Sequence, residues 1–258
     1  MATDHKIQFN SVAQEYQMYH QLPMAQLVAE LIGKGLGDCN KTRILDLAGG
    51  SGHFARQAID AGAERVDVVD TSMSMMEVGK AIETKLGREG RIHWHCADAS
   101  LPLWQQGIDI LPEGQYDIVM ANWLLDHAYS VQDLEGMWQN IAAGLKPGGT
   151  FLGVRVTEPG MLGGTGAEGK YGAKLEEFEN IPGGVKYRAT IQCEPSFAFQ
   201  AASMEDSYNM TDKIPRKLGI TDFEVLAIED TEVFKKDPEF WKQHQEKPVY
   251  TTVMARKR

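Results

Sequence analysis

Arg43-Ile44-Leu45-Asp46-Leu47 runs into Ala48-Gly49-Gly50-Ser51-Gly52 and then into His53-Phe54-Ala55-Arg56. The first five residues read as a short buried strand, the next five as a tight turn, and the last as the opening of a helix. A glycine-rich turn between strand and helix is where a parallel α/β sheet takes a nucleotide-like ligand. Glycines let the backbone approach the ligand, and the helix that follows offers free N–H groups and a partial positive charge. Taken alone the turn is ambiguous, because Gly50-Ser51-Gly52-His53-Phe54-Ala55 also fits the loose G-x-G-x-x-A dinucleotide pattern. Asp46 argues against that reading, since a carboxylate inside the strand would sit close to a pyrophosphate.

Strands and helices alternate outward from this turn, the pattern of a doubly wound α/β sheet. Helical stretches at Ser11 to Tyr19 and Pro23 to Ile32 precede it, the second opened by a proline suited to a first turn. Val66 to Asp70 is a second strand, and Ser74 with Glu77 is placed for a capping box on the next helix. Arg91 to Cys96, Tyr116 to Ala121 and Thr150 to Val156 continue the series, the last introduced by the turn Lys146-Pro147-Gly148-Gly149. From Thr157 to about Ser203 the alternation breaks into a glycine-rich stretch and two strands, Val185 to Gln192 and Ser196 to Ala202, which reads as an insertion. A helix to Leu218, a strand Phe223 to Glu229, a short helix at Phe240 and Trp241 and a last strand Val249 to Ala255 follow. The two closing strands suggest an antiparallel hairpin that completes a seven-stranded, mostly parallel sheet. The expected organisation is a helical lid over 1–38, a ligand-binding core over 39–156, an inserted cap over 157–203 and the rest of the core sheet over 204–258.

Composition narrows the class. The chain has 258 residues, enough for one elaborated α/β domain, and its hydrophobic and charged contents of 43% and 24% are those of an ordinary globule. No apolar run approaches the roughly 20 residues that span a bilayer. The first residues, with Asp4, His5 and Lys6, lack the apolar stretch of a signal peptide, so the expected location is cytoplasmic. A net charge of −10 argues against a general nucleic-acid partner, which needs basic surface. Cys39, Cys96 and Cys193 are far apart with no C-x-x-C pair, so reduced thiols and no metal site are expected.

The ends of the first four strands carry the chemistry, because open α/β sheets bind ligands at the carboxyl ends of their strands. Asp46 precedes the turn, Asp70 ends the second strand, Asp98 follows the third and Asn122 the fourth. Asp70 has two acceptor oxygens for the hydroxyls of a ribose, and Asp98 could accept from the exocyclic amine of an adenine. A sulfonium and an α-amino group would both favour this acidic setting.

In this order and spacing, from about Arg43 to Val156, the chain resembles the class I S-adenosylmethionine-dependent methyltransferases. Their acid-x-Gly-x-Gly-x-Gly motif is matched by Asp46, Gly50 and Gly52, with Ala48 where the first glycine usually stands. The resemblance implies S-adenosyl-L-methionine as cofactor and S-adenosyl-L-homocysteine as product. It implies that Ala48, Gly49 and Gly50 line the methionine part, Asp70 holds the ribose, and Thr71 or Met75 flanks the adenine. Asp98 and Ala99 would meet the adenine edge, and Asn122 with the Trp123 backbone the amino-acid end. Met120 to Trp123, Asp126-His127-Ala128 and Lys235 to Trp241 extend the resemblance to small methyltransferases of fungal toxin and secondary-metabolite biosynthesis.

His127 is the candidate catalytic base, since a neutral imidazole beside the cleft could take a proton from an attacking hydroxyl, thiol or amine. A carboxylate acceptor would need no base, and Arg155 or Arg188 could then orient it by a two-pronged pair. Methyl transfer from a sulfonium has an excellent leaving group, so positioning alone can supply much of the acceleration. Tyr16, Tyr19 and His20 lie on a helix expected to close over the cleft, Tyr16 toward the cofactor and Tyr19 toward the acceptor. Tyr171 in the insertion is a further acceptor contact, with Phe178, Tyr187, Phe197 and Phe199 giving that wall an aromatic character. The glycine-rich stretch Gly160 to Gly172 suggests a flap. Together these residues predict a methyltransferase, monomer or homodimer, acting on a small apolar or aromatic metabolite at oxygen, nitrogen or sulfur. The alternatives are a cofactor-binding cyclase and a regulatory or scaffolding pseudoenzyme, the latter disfavoured because the cofactor positions are all in place.

Overall fold

The computed structural model describes residues 7–108, 114–157 and 169–258. Its strands are β1 (Arg43–Leu47), β2 (Arg65–Asp70), β3 (Ile92–Cys96), β4 (Tyr116–Asn122), β5 (Leu145–Val156), β6 (Ala173–Ile181), β7 (Gly184–Ile191), β8 (Phe197–Met204), β9 (Ile220–Val225) and β10 (Tyr250–Lys257). The helices are α1 (Tyr16–Tyr19), α2 (Pro23–Leu36), α3 (His53–Asp60), α4 (Met73–Leu86), α5 (Val131–Gly144), α6 (Glu205–Tyr208), α7 (Lys213–Lys217), α8 (Glu232–Lys236) and α9 (Pro238–Glu246).

A seven-stranded sheet runs in the order β3-β2-β1-β4-β5-β10-β9. β1 pairs in parallel with both β2 and β4, so the strand order reverses between β1 and β4 and opens a crevice there. β10 lies antiparallel between β5 and β9, the expected closing hairpin. Successive β1 residues face opposite layers. Ile44 packs with Leu27, Leu31 and Ile32 of α2, whereas Leu45 and Leu47 join Trp138 and Ile141 of α5. Burial on both faces is why the parallel strands read as nearly continuous apolar runs.

The insertion forms a second, antiparallel sheet in the order β6-β7-β8. Sequence reading gave β7 and β8 but not β6, whose surface glutamates, Glu176, Glu177 and Glu179, mask the buried Leu175. Three further expectations are corrected. The ninth strand lies at Ile220–Val225, several residues before Phe223 to Glu229, and Leu226 leaves the strand to bond the Thr252 carbonyl. The N-cap of α4 is Ser72, whose Oγ accepts from the Met75 N–H at 3.2 Å, while Ser74 lies inside the first turn. The N-terminal segment is helical only in short pieces, a 3-10 turn at Gln8–Ser11 and the single turn α1. Among the described residues no helix is long and apolar enough to cross a membrane.

Candidate functional site

The turn after β1 is built for close approach. A Cβ on Gly49 would lie 2.7 Å from Asp46 Oδ2, and one on Gly50, at φ +54°, would lie 3.0 Å from Met75 Cε. Ala48 takes φ +57°, the left-handed region that favours glycine, so the irregular motif position carries backbone strain. Gly52 faces away from the cleft. It caps α3 in the left-handed conformation, and a Cβ there would meet the Trp94 ring at 2.6 Å.

Asp70 joins the end of β2 to this turn. Its Oδ2 accepts from the Gly50 N–H at 2.8 Å and its Oδ1 from the Ser72 N–H at 2.8 Å. Burial raises its pKa, and those backbone donors oppose the rise. Asp46 is 1% exposed, and neither carboxylate oxygen has a hydrogen-bond partner among the described residues. Burial, and then the Asp70 charge, push its pKa up to about 8. Asn122 repeats the pattern at the end of β4, being buried with its Oδ1 and Nδ2 both unpartnered among the described residues. Orphaned polar groups are costly in a protein interior and mark places where a ligand completes the bonding. Asp98 closes a local turn, accepting from the Ser100 N–H at 2.8 Å and hydroxyl at 2.6 Å.

Apart from Asp46 and Gly52, these residues border one cleft of about 1060 Å³, open solvent at its mouth included. Ala48, Gly49, Gly50, Asp70, Thr71, Met75, Asp98, Ala99, Asn122 and Trp123 line it, with Tyr16, Tyr19 and His127 at its inner end. Asp46 lies behind the turn, against Gly49. The buried Asp46 carboxyl and Asn122 amide, without partners among the described residues, the acceptor oxygens of Asp70 and the glycine cradle fit a nucleoside with a cationic amino-acid arm.

A second cavity of about 780 Å³, open solvent again included, continues from the first across Phe9, Tyr16, Tyr19, Trp123 and His127, which border both. Its walls are apolar, from Met24, Val156, Leu175, Ala189, Ile191, Phe199 and Val249, and Tyr171 lines it as well. Tyr171 Oη donates to the Phe240 carbonyl and accepts from the His244 N–H, so its polar tip is held by α9. His127 packs edge-on against Phe9 at 5.5 Å and obliquely against Phe199 at 5.8 Å. The N-terminal segment spans both cavities. Asn10 Oδ1 accepts from Ser72 Oγ at 2.7 Å, and Gln8 exchanges two hydrogen bonds with the Gln200 backbone.

Arg155 is a correction. It lines neither cavity and is 3% exposed, with Nη1 2.6 Å from Asp212 Oδ1, so its charge is consumed in a buried pair. Arg188, on β7, is exposed and borders neither cavity. The proposed flap lies outside the described residues over 160–168, and only 169–172 can be placed. Sequence reasoning passed over Asp126 and Ser203. Asp126 Oδ1 accepts from Ser203 Oγ at 2.7 Å and Oδ2 from the Val156 N–H at 3.0 Å, and burial raises its pKa to about 6. The available signal was an acid beside His127 just after β4.

Residues 44–149 match the family model described as Methyltransferase domain. The chain is 27% identical over 157 residues to a demethylmenaquinone methyltransferase of Leptospira interrogans, covering 57% of this chain and 58% of that protein. It is 30% identical over 162 residues to a ubiquinone/menaquinone biosynthesis C-methyltransferase of Francisella tularensis, covering 58% of each. The chain thus spans little more than half the length of these relatives. A structure of an S-adenosylmethionine-dependent methyltransferase from Listeria monocytogenes superposes with a TM-score of 0.60 at 18% identity, covering 90% of this chain and 98% of that one. The fold is therefore the Rossmann-like fold of class I S-adenosylmethionine-dependent methyltransferases. The domain match agrees with the expected enzyme class.

Proposed function

We propose that this chain, whose residues 44–149 carry a methyltransferase domain, transfers a methyl group from S-adenosylmethionine to a small apolar acceptor with an aromatic ring. The observation that carries this reading is the continuity of the two cavities through one aromatic collar. On the cleft side are polar groups that lack partners; on the other side are apolar walls.

Bound in the cleft, the cofactor supplies an electrophilic methyl group. Asp70, braced by two backbone donors, retains acceptor capacity for a ribose. Asn122 offers a free donor and a free acceptor to the amino-acid arm, and the Asp46 charge, expensive while unpaired, is relieved by a nearby cation. Phe9, Tyr16 and Phe199 exclude water at the junction and hold the acceptor against the cleft, the kind of positioning that can supply most of the acceleration in a displacement with a good leaving group. The β6-β7-β8 sheet serves as the acceptor-side wall.

The relatives' names concern quinone rings, whereas the sequence resemblance pointed to secondary metabolites. An aromatic ring bearing a hydroxyl is the chemistry common to both, and methylation at oxygen or at an adjacent ring carbon are both open to it. The test is methyl transfer from labelled S-adenosylmethionine to a metabolite extract, followed by mass identification of the product. A labelled aromatic product supports the reading. Label appearing only in protein or nucleic acid contradicts it.

A further inference from the structure

The second cavity is lined mainly by apolar side chains, and two of its polar residues belong to a chain of hydrogen bonds. Tyr187 on β7 and Asp126 after β4 both border the cavity. Tyr187 Oη is 3.0 Å from Ser203 Oγ, and Ser203 Oγ donates to Asp126 Oδ1 at 2.7 Å. Tyr187, Ser203 and Asp126 are at most 3% exposed. The direction of the chain follows from proton counting. An ionised Asp126 only accepts, so it takes the single serine hydroxyl proton, and Ser203 can meet Tyr187 only as an acceptor. Tyr187 must then donate to Ser203, which leaves its oxygen able to accept from a ligand hydroxyl. A ligand hydroxyl can donate to that oxygen, whereas a methyl ether cannot.

We propose that Tyr187, Ser203 and Asp126 form a relay that recognises a hydroxyl group on the acceptor and removes its proton as the methyl group is transferred. The inference rests on the methyltransferase reading only for its second half. As the acceptor oxygen, or the ring carbon it activates, bonds to the methyl group of the sulfonium donor, the donor's carbon–sulfur electron pair leaves with sulfur. The acceptor proton passes to Tyr187 Oη, the Tyr187 proton to Ser203 Oγ, and the Ser203 proton to Asp126, which becomes neutral. The tyrosine and serine are regenerated in the transfer, and the carboxyl releases its proton afterwards. Tyr187 is the group that touches the acceptor; Ser203 and Asp126 act through it. The relay approaches the acceptor from the inserted sheet and needs no proton transfer to His127.

Other charged and titratable groups near the relay are Arg155 on β5, whose charge lowers the Asp126 pKa, and Tyr129, whose interaction raises that of Tyr187. His127 is the next residue to Asp126 in the chain. Burial outweighs Arg155 and holds Asp126 at about 6, so the carboxyl is ionised at neutral pH and protonates just below it. Protonated Asp126 can donate to Ser203, which reverses the chain and turns Tyr187 into a donor toward the cavity.

The test begins with binding of 2-naphthol and 2-methoxynaphthalene, measured by calorimetry on the full chain without cofactor. Wild-type protein at pH 7.5 should prefer the naphthol by about tenfold, the scale of one hydrogen bond to a buried acceptor. Tyr187→Phe keeps the ring and the Ser203–Asp126 bond, so the fold is preserved, and the preference should fall to about twofold or less. At pH 5 the wild-type preference should shrink as well. Equal binding of the two probes by wild type, binding of neither, or an unchanged preference in Tyr187→Phe overturns the proposal. With the natural acceptor, kcat/KM of wild type should fall below about pH 6, and Tyr187→Phe should lose about 100-fold in kcat together with that acid limb. An acid limb retained in Tyr187→Phe overturns the relay. Failure of S-adenosylmethionine to bind, with the naphthol preference intact, would overturn the methyltransferase reading and leave the hydroxyl site standing.

Discussion

Replacing Asp46 by asparagine should stabilise the protein at alkaline pH while weakening its hold on the cofactor. The carboxyl is buried without a partner, and its pKa rises to about 8, first through burial and then through the Asp70 charge. In the unfolded chain the same group titrates near the ordinary aspartate value of about 3.9. The folded state therefore holds a proton that the unfolded state has released, and stability declines as pH rises from about 4 to about 8. At pH 5.5 the unfolded state is favoured through this group by about 2 kcal/mol, and at pH 8.5 by about 5 kcal/mol, a difference of about 3 kcal/mol. His244, which is buried, and His20 and His53, which are half-buried, have lowered pKa values and move stability the opposite way over part of this range. The quantity to measure is therefore the difference between wild type and Asp46→Asn, in which the histidines cancel. Urea unfolding of both proteins at the two pH values gives it. The variant should gain about 3 kcal/mol relative to wild type between pH 5.5 and 8.5 and should bind S-adenosylmethionine at least tenfold more weakly. A pH-independent difference would refute the assignment of Asp46 as a buried, unpaired acid, and unchanged cofactor affinity would refute its role in the cleft.

Other substitutions report on separate parts of the account. Ala48→Gly relieves a left-handed alanine, so it should leave stability unchanged or raise it by up to about 1 kcal/mol in thermal unfolding, whereas glycine normally costs a helix or strand a similar amount. Gly50→Ala places a Cβ at positive φ and 3.0 Å from Met75 Cε, so cofactor affinity should drop at least tenfold with the far-ultraviolet spectrum unchanged. Arg155→Met leaves Asp212 buried and unpaired, which should cost about 3–5 kcal/mol in urea unfolding.

Most of the sheet was legible because its signals are local. The apolar runs of β1, β2, β4 and β5 and the turn at Ala48 to Gly52 each follow from neighbouring residues. The ordered recurrence of Asp46, Asp70, Asp98 and Asn122 after successive strands was readable for the same reason. What escaped depends on partners distant in sequence. Arg155 reads as a cleft residue until Asp212, 57 positions later, is seen beside it. Asp126 acquires meaning only when Ser203, 77 positions away, donates to it from the inserted sheet. Ser74 with Glu77 satisfied the capping-box pattern, but Ser72 took the cap, bonded in turn to Asn10 from the N-terminal segment. Strand β9 was displaced because Asp222, at φ +57°, sits within it and interrupts the expected alternation.

The central claim, that the cleft beside the β1 turn takes S-adenosylmethionine, is tested most directly by calorimetric titration of wild type, Asp70→Ala and His127→Ala with S-adenosylmethionine and S-adenosylhomocysteine. The account predicts one site on wild type for both ligands, binding weakened at least 100-fold in Asp70→Ala, and binding retained in His127→Ala. No binding to wild type, or full binding by Asp70→Ala, would contradict it.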